Sequence, residues 1–188
     1  MEEKNYSEEA QWFLRNLQRL QNDFAESIGA QIVTTDKNGE LLTKMSGQQK
    51  ICQIIQGTEK GKQGCQSAYQ TALSLVKSMK EPAFMDCPAG LASLWVPIKV
   101  KGEIVGSITG CGGRYDHGES EQELRERFAV KANELGINEE NKEDFLNALS
   151  EVKVITEEEM RKRAERLARL VGILAEETAL SEVFGVNA

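Results

Sequence analysis

The stretch FMDCPAGLASLWVPIKVKGEIVGSITGCGG, residues 84–113, has the pattern of a buried β-hairpin. Apolar and β-branched residues dominate GLASLWVPIKV and EIVGSITGC, and Lys101-Gly102 between them predicts a tight turn. The preceding residues, PAFMD, predict a further short strand. This part of the chain therefore predicts three consecutive antiparallel strands.

The hairpin carries a cysteine near each of its ends. Pairing Val100 with Glu103 and counting outward places Cys111 opposite Ala92, provided that no bulge intervenes. Cys87 comes only five residues before Ala92, across a bend predicted by the sequence PAG. Cys87 and Cys111 are therefore expected at the same end of the sheet.

The rest of the chain alternates between short strands and helices. Residues 7–28 predict an amphipathic helix that begins at Ser7, and Asn38-Gly39 predicts a turn between strands at 31–36 and 40–44. A helix ending at Gly57 and a second helix opened by Cys65 follow, separated by a joint in which Gly61 and Gly64 act as helix breakers. Three further helices are predicted at 119–135, 140–150 and 156–182.

The order of elements is typical of an α+β sensor domain. Two strands, a helical insertion and three more strands predict a five-stranded antiparallel sheet of the PAS or GAF kind, with a pocket between the sheet and the inserted helices. The N- and C-terminal helices, 7–28 and 156–182, flank this sheet. We expect one domain over residues 1–188 with a core at about 17–177, since no linker and no internal repeat is visible.

Composition and charge exclude several classes of protein. The 188 residues carry a formal net charge of −7, and the densest basic patch, residues 160–169, alternates with glutamates in a helical pattern. A nucleic-acid partner is not expected, because proteins that bind nucleic acids carry a basic stripe on their surface. No secretory signal and no apolar run of membrane-spanning length is present, so we expect a cytoplasmic protein without a membrane partner.

The four cysteines are the candidate metal ligands: Cys52, Cys65, Cys87 and Cys111. Cysteines of a cytoplasmic protein usually remain reduced, and the predicted position of Cys65 at a helix N-terminus favours its thiolate. Four convergent thiolates could hold an iron–sulfur cluster or, alternatively, zinc. Core packing and a redox-active thiol pair remain open as other interpretations, and spacing alone does not decide among them.

The sequence resembles the PocR sensory domain from about Leu17 to Glu177. The resemblance is carried by LQNDFAESIGAQIVTTDKNGELL, ICQIIQ, GCQSAYQTA and FMDCPAGLASLWVPIKVKGEIVGSITG, which occur in the family's order and spacing. Cys52, Cys65 and Cys87 match its recurrent cysteines. Cys111 stands where the family commonly has glycine or sometimes cysteine, and Pro88 replaces a histidine.

The resemblance implies a PAS-like module that binds a small-molecule ligand, in a family found in bacterial transcription regulators and sensor kinases. The family includes domains thought to recognise small diols or related hydrocarbon derivatives. The resemblance therefore implies a small-molecule sensor. Together with the four cysteines, it leads us to expect a domain that senses a small metabolite, redox state or oxygen.

Three further residues are candidate ligand contacts. Trp95 lies in a strand that could face the pocket, and Arg114 and Tyr115 follow directly after Cys111. Each has an ordinary alternative, which is core packing for Trp95 and loop anchoring for the other two. A non-enzymatic role is expected, because a nucleophile at Cys65 or Cys87 would lack a suitable base; His117 lies in a predicted loop.

The terminal helices are candidates for dimerisation and signal output. A homodimer is expected through apolar side chains of both helices, although the same side chains could simply cover the sheet: Trp12, Phe13, Leu20, Leu167, Val171 and Leu174. No output domain is recognisable, so a partner protein or a longer chain is expected to carry the output. A structural zinc-binding module that holds partners through its terminal helices is the alternative.

Overall fold

A computed structural model describes residues 7–100, 102–174 and 183 of the chain. Within that part, six α-helices and five strands alternate along the sequence. Their order is α1 (Glu8–Ile28), β1 (Gln31–Asp36), α2 (Lys50–Gln56), α3 (Glu59–Met79), β2 (Ala83–Asp86), β3 (Ala92–Val100), β4 (Glu103–Tyr115), α4 (Glu121–Glu134), α5 (Glu139–Ala148), β5 (Lys153–Ile155) and α6 (Glu157–Leu174), with a 3₁₀ turn at Leu149–Glu151.

The strands form one open sheet in the order β1-β4-β3-β2. All neighbours in this order are antiparallel, and Val100 pairs with Glu103 across the predicted tight turn, where Gly102 has a φ of +85°. The short strand β5 adds to β4 in the parallel direction. The predicted α+β class and five-stranded antiparallel sheet are confirmed, with β5 as the parallel exception.

The two faces of the sheet are covered by different helices. Leu94, Val96 and Ile98 of β3 pack in one core with apolar residues of α1 and α6. Trp95 belongs to a second core with residues of α3, because successive side chains of a strand point to opposite faces. A third core joins α2, α4 and α5 to Ala89 and Leu91. The predicted terminal helices thus lie on the face opposite the inserted helix α3.

The first helix is fixed at both ends and at its middle. The Ser7 hydroxyl accepts a hydrogen bond from the Ala10 backbone at 3.2 Å, and Gly29 ends the helix in the left-handed conformation. In the middle, the buried Gln21 side chain accepts from the hydroxyls of Thr34 at 3.0 Å and Thr43 at 2.6 Å. The Gln21 amide nitrogen donates to the Lys44 carbonyl at 2.7 Å, so α1 is bonded to β1 and to the segment after it.

The strand predicted at 40–44 is wrong. The turn at Asn38-Gly39 forms, with Gly39 at a φ of +80°, but the backbone of the following segment pairs with β1 only in isolated bridges at Leu41 and Ser46. Between these bridges, the Thr34 backbone N–H donates to the Thr43 hydroxyl at 3.0 Å. A side chain thus replaces a carbonyl in the ladder and interrupts a regular strand.

The predicted glycine-rich joint before Cys65 is also wrong. Helix α3 begins at Glu59, where the Thr58 hydroxyl caps the Gly61 backbone N–H at 2.9 Å. Gly61 and Gly64 lie inside the helix and do not break it. A Cβ at Gly61 would collide with the Ile55 carbonyl oxygen, so this glycine permits the close approach of α2 and α3.

The third group of predicted helices is confirmed, with shifted ends. The helices predicted at 119–135 and 140–150 appear as α4 and α5, whereas β5 was not anticipated. The predicted end of the last helix, residues 175–182, lies outside the described residues. None of the helices that the structure describes has the length and apolarity needed to cross a membrane.

Candidate functional site

One cavity between the sheet, α2 and α3 brings all four cysteines together. Its lining combines the thiols with two aromatic rings, two amides and small apolar groups: Gln31, Cys52, Ile55, Gln56, Cys65, Ala68, Tyr69, Cys87, Pro88, Ala89, Trp95 and Cys111. None of these twelve residues carries a formal charge. We refer to this cavity as the thiol pocket.

Cys87 is positioned by a tight loop between β2 and β3. The Gly90 backbone N–H donates to the Cys87 carbonyl at 2.7 Å, and the Cys87 N–H donates to the Leu91 carbonyl at 2.7 Å. Gly90 has a φ of +78°, a conformation that other residues rarely adopt, which explains the glycine in CPAGL. The predicted bend at Pro88 and Gly90 is confirmed, and it turns the Cys87 thiol toward the pocket.

Cys111 lies between two neighbouring strands. It pairs with Ser93 of β3 on one side and with Gln31 of β1 on the other. The predicted pairing of Cys111 with Ala92 is wrong, because irregularities in the β3–β4 ladder shift the register and Ala92 pairs with Gly113. The expectation that Cys87 and Cys111 lie at the same end of the sheet is confirmed, since both line the thiol pocket.

Cys65 reaches the pocket from the second turn of α3. The residue before it, Gly64, lies against the loop after β2: a Cβ at Gly64 would come within 3.2 Å of the Pro88 Cβ. The absence of a side chain at Gly64 therefore lets α3 approach the loop that holds Cys87. Cys52 completes the set from α2, where it is buried.

Burial keeps the thiols protonated. Burial first, and then the negative charge that Cys87 would carry, raise the pKa of Cys52 to about 12 and the pKa of Cys65 to about 11. The predicted thiolate at Cys65 is therefore wrong: Cys65 does not open the helix, and removal from water outweighs any helix dipole. All four cysteines are free of disulfide bonds.

Cys87 is the electrostatic centre of the four. After burial itself, the negative charge that Cys87 would carry as a thiolate is the largest influence on the pKa of each of the other three thiols. Burial raises the pKa of Cys87, and hydrogen bonds from the backbone of Leu91 and Ala89 partly oppose that shift. Burial also raises the pKa of Cys111 well above its ordinary value.

Trp95 and Tyr69 form the aromatic wall of the pocket. Their rings meet edge to face with centroids 5.6 Å apart. The Trp95 indole N–H donates to the Ser93 hydroxyl at 3.0 Å, and this hydroxyl donates to the Met85 carbonyl at 2.7 Å. Trp95 is thus fully buried and fixed in orientation, and it lines the pocket as the sequence suggested. A ligand contact at Trp95 stays a prediction.

The thiols line one cavity, but they are not grouped as the ligands of a metal ion. Among residues 7–100, 102–174 and 183, no three cysteine, histidine, aspartate or glutamate side chains are grouped so that they could hold a metal ion. The cavity volume is about 30 Å³, which is room for roughly two water molecules. A 4Fe–4S cluster therefore needs the surrounding elements to move apart before it can be held there.

Arg114 and Tyr115 lie outside the thiol pocket. Arg114 lines a surface groove with Asp116 and Glu119, and Tyr115 lines another with Asp86 and Arg161. A ligand role for these two residues stays a prediction, and it concerns a different surface from the cysteines. His117, exposed in the loop beyond them, contacts the Tyr115 ring and does not reach the thiol pocket.

Sequence reasoning missed Gln31. This residue begins β1, is 4% exposed and lines the thiol pocket, and its side-chain oxygen Oε1 is buried without a hydrogen-bond partner. Its position directly before the apolar pair Ile32-Val33 was the available indication, and it is a weak one because Thr34, Thr35 and Asp36 of the same strand are polar as well. Recognising it required the pairing with Cys111, which is a tertiary contact.

Comparison with known families agrees with this architecture. The family model described as the sensory domain found in PocR matches residues 13–179 of the chain. No curated protein matches the sequence significantly.

Proposed function

Because the chain belongs to the family of the sensory domain found in PocR, whose members are ligand-binding, signal-sensing domains, we propose that its signal is a small metabolite bound in the thiol pocket. The single observation that carries the proposal is the pocket itself. Four thiols, two aromatic rings and two amides from separate elements line one cavity against the sheet. Such a mostly apolar cavity with a few convergent polar groups is the usual form of a small-molecule site.

The protonated thiols support binding over catalysis. A cysteine nucleophile acts as a thiolate, and burial opposes the thiolate at both Cys65 and Cys87. No histidine lies among the described residues that line the pocket. The role proposed for this domain is therefore non-enzymatic.

A thiol-bound metal is the second candidate, and the four cysteines around one cavity favour it. Cysteine sulfurs are the ligands preferred by zinc and by iron–sulfur clusters. Binding would require α2, α3 and the loop at Cys87 to rearrange, because the present arrangement offers no grouped ligand set among the described residues. A change in cluster charge on oxidation would then make redox state the signal.

The test of the site begins with anaerobically purified protein. Metal content and visible absorbance are measured for the wild type and for each of four cysteine-to-serine variants. A colourless, metal-free wild type whose tryptophan emission shifts with members of a metabolite panel supports the metabolite proposal. Stoichiometric iron and sulfide with broad visible absorbance, lost in the serine variants, would replace it with the cluster. Colourless protein with stoichiometric zinc would indicate the structural zinc module.

Trp95 makes the binding measurement specific to the pocket. The chain has two tryptophans, of which Trp95 is fully buried at the pocket and Trp12 is 50% exposed on α1. Trp12→Phe therefore leaves Trp95 as the only indole reporter. Trp95→Phe is the matched control, because its remaining emission comes from the surface. An emission change that persists only in the control would count against binding in the thiol pocket.

For output, we propose a cytoplasmic homodimer that signals to a partner protein through α1 and α6. Gln31 follows α1 after only Gly29 and Ala30, and β4, which carries Cys111, pairs with β5 directly before α6. A ligand bound in the pocket can therefore affect α1 through β1 and α6 through β4.

The buried residues of α1 and α6 restrict which surfaces two copies of the chain can use to form a dimer. Phe13, Leu167 and Val171 are buried in the core of the same chain, whereas Trp12 is exposed. Analytical ultracentrifugation of wild type and Trp12→Ala tests the dimer. A monomeric wild type at micromolar concentration would overturn it, and a dimer weakened by the substitution would support it.

A further inference from the structure

Gln31 carries a polar group that the protein itself leaves without a partner. The residue is 4% exposed, and its Oε1 atom is buried and accepts no hydrogen bond. Its side-chain amide makes no hydrogen bond to any residue that the structure describes. Buried polar groups in folded proteins almost always have a partner, so an unpaired amide facing a cavity indicates a place for a bound molecule.

Gln56, which also lines the pocket, and the buried Gln21 show the contrast. The Gln56 amide nitrogen donates to the Met45 sulfur at 3.3 Å, and its oxygen accepts from Gln48 at 3.1 Å. Gln21, on the other side of the sheet, is fully bonded to hydroxyls and a carbonyl. Gln31 is therefore the glutamine of the thiol pocket whose bonding capacity is open.

The surroundings of Gln31 define what can bind to it. Cys111 is its direct partner across the β1–β4 ladder, and Tyr69, whose hydroxyl bonds to no described residue, lines the same cavity. No charged side chain stands among the described lining residues to neutralise an ionic ligand. An ion would lose its hydration there without compensation, whereas a neutral molecule would not.

We propose that Gln31 is the specificity-determining residue of the thiol pocket, and that it selects an uncharged molecule of a few non-hydrogen atoms that donates a hydrogen bond to Oε1. Acetamide and simple alcohols have this chemistry, and acetate has the same size but the wrong charge. The proposal rests on the proposed function, because it assumes that the ligand enters this pocket. It adds that Gln31 recognises the polar end of that ligand and that the ligand is uncharged.

The test compares three probes and four proteins. Acetamide, ethylene glycol and acetate are titrated into the millimolar range while Trp95 emission is followed in a Trp12→Phe background. The same titrations are repeated with Gln31→Met, which keeps the length of the side chain but removes the amide. Gln53→Met is the matched control, because it removes the exposed amide of a glutamine on α2 that does not line the pocket.

The expected results distinguish a role of Gln31 in ligand recognition from a role in the stability of the fold. Acetamide and ethylene glycol bind the parent and Gln53→Met, acetate binds about tenfold more weakly or worse, and Gln31→Met loses about tenfold in affinity, as expected for one hydrogen bond. The melting temperature of unliganded Gln31→Met stays equal to that of the parent or rises, because an unpaired buried amide has been replaced by an apolar group. Gln31→Asn, which retains a shortened amide, gives an intermediate affinity.

Three results would overturn the inference. Equal affinity of the parent and Gln31→Met, with a Trp95 response in both, would remove Gln31 from recognition while leaving the proposed function intact. Acetate binding as tightly as acetamide would refute the charge selection. Failure of both neutral probes to bind the parent would refute the ligand class, whereas the proposed function would still be decided by the metabolite panel and the metal analysis.

Discussion

Gln31 and Cys111 are direct partners across the β1–β4 ladder, and both line the thiol pocket. One follows the end of α1 after two residues, and the other lies on the strand to which β5 and then α6 connect. A molecule that separates these two side chains would act on both terminal helices at once. The pairing therefore connects the pocket to the elements proposed to transmit its signal.

The thiols should react slowly while the protein is folded. With iodoacetamide at neutral pH, Cys65 is expected to be alkylated about 100-fold more slowly than in the urea-unfolded chain, because its pKa rises from 9.0 to about 11 and only the thiolate reacts. Peptide mass spectrometry at timed intervals measures the rate for each cysteine. Alkylation of Cys65 at the unfolded rate would restore the idea of an activated thiolate.

Stability should fall at alkaline pH through Cys52. The thiol is protonated in both states below pH 9.0, and between pH 9.0 and about 12 only the unfolded chain releases its proton. The free energy of unfolding therefore decreases with rising pH in that range, by up to about 1.4 kcal/mol per pH unit from this residue. Urea titrations at pH 8 and at about pH 10.5 measure the decrease.

Cys52→Ala provides the control for this decline, since lysines and tyrosines titrate in the same range. The variant lacks the proton released by Cys52, so its stability should decline less steeply. The difference in unfolding free energy between wild type and variant should thus shrink as the pH rises. Parallel declines in the two proteins would show that the Cys52 thiol is not the group responsible.

Two helical glycines should respond in opposite directions to alanine. At Gly61 the new Cβ would collide with the Ile55 carbonyl oxygen, so Gly61→Ala is expected to cost about 2 kcal/mol or more. At Gly172 in α6 no described atom lies within 4 Å of the new Cβ, and Gly172→Ala should stabilise by about 0.5–1 kcal/mol through helix propensity. Thermal and urea unfolding measure both. Equal effects at the two positions would contradict the close contact of α2 with α3.

Gln21 should be a major contributor to the attachment of α1. Gln21→Leu leaves the Thr34 hydroxyl and the Lys44 carbonyl without their bonds to this side chain, and we expect a loss of about 2–3 kcal/mol in unfolding free energy. Gln18→Leu is the matched control: Gln18 also bonds to Lys44, but at an accessible position where water can replace it. A smaller effect at Gln21 than at Gln18 would contradict the importance of the buried network.

The sequence determined the class of fold and most of its elements. Helical periodicity, the caps at Ser7 and Gly29, and the turn residues at Asn38-Gly39 and Gly102 are local features, and the structure retains them. Strand β5 and the true start of α3 were not predicted from the sequence. A three-residue strand has almost no local pattern, and the glycines of α3 permit close contacts with Ile55 and Pro88. Both depend on residues distant in the chain.

The sequence also identified the four cysteines, but only the tertiary structure decided what they can do. Their spacing does not reveal that Gly64 lets Cys65 approach the loop of Cys87, or that shifts in the β3–β4 register put Cys111 beside Ser93 and Gln31. Above all, local sequence does not reveal burial. A thiol pKa depends on how much water surrounds the sulfur, and that is fixed only when separate elements pack together, which turned an expected thiolate site into a neutral pocket.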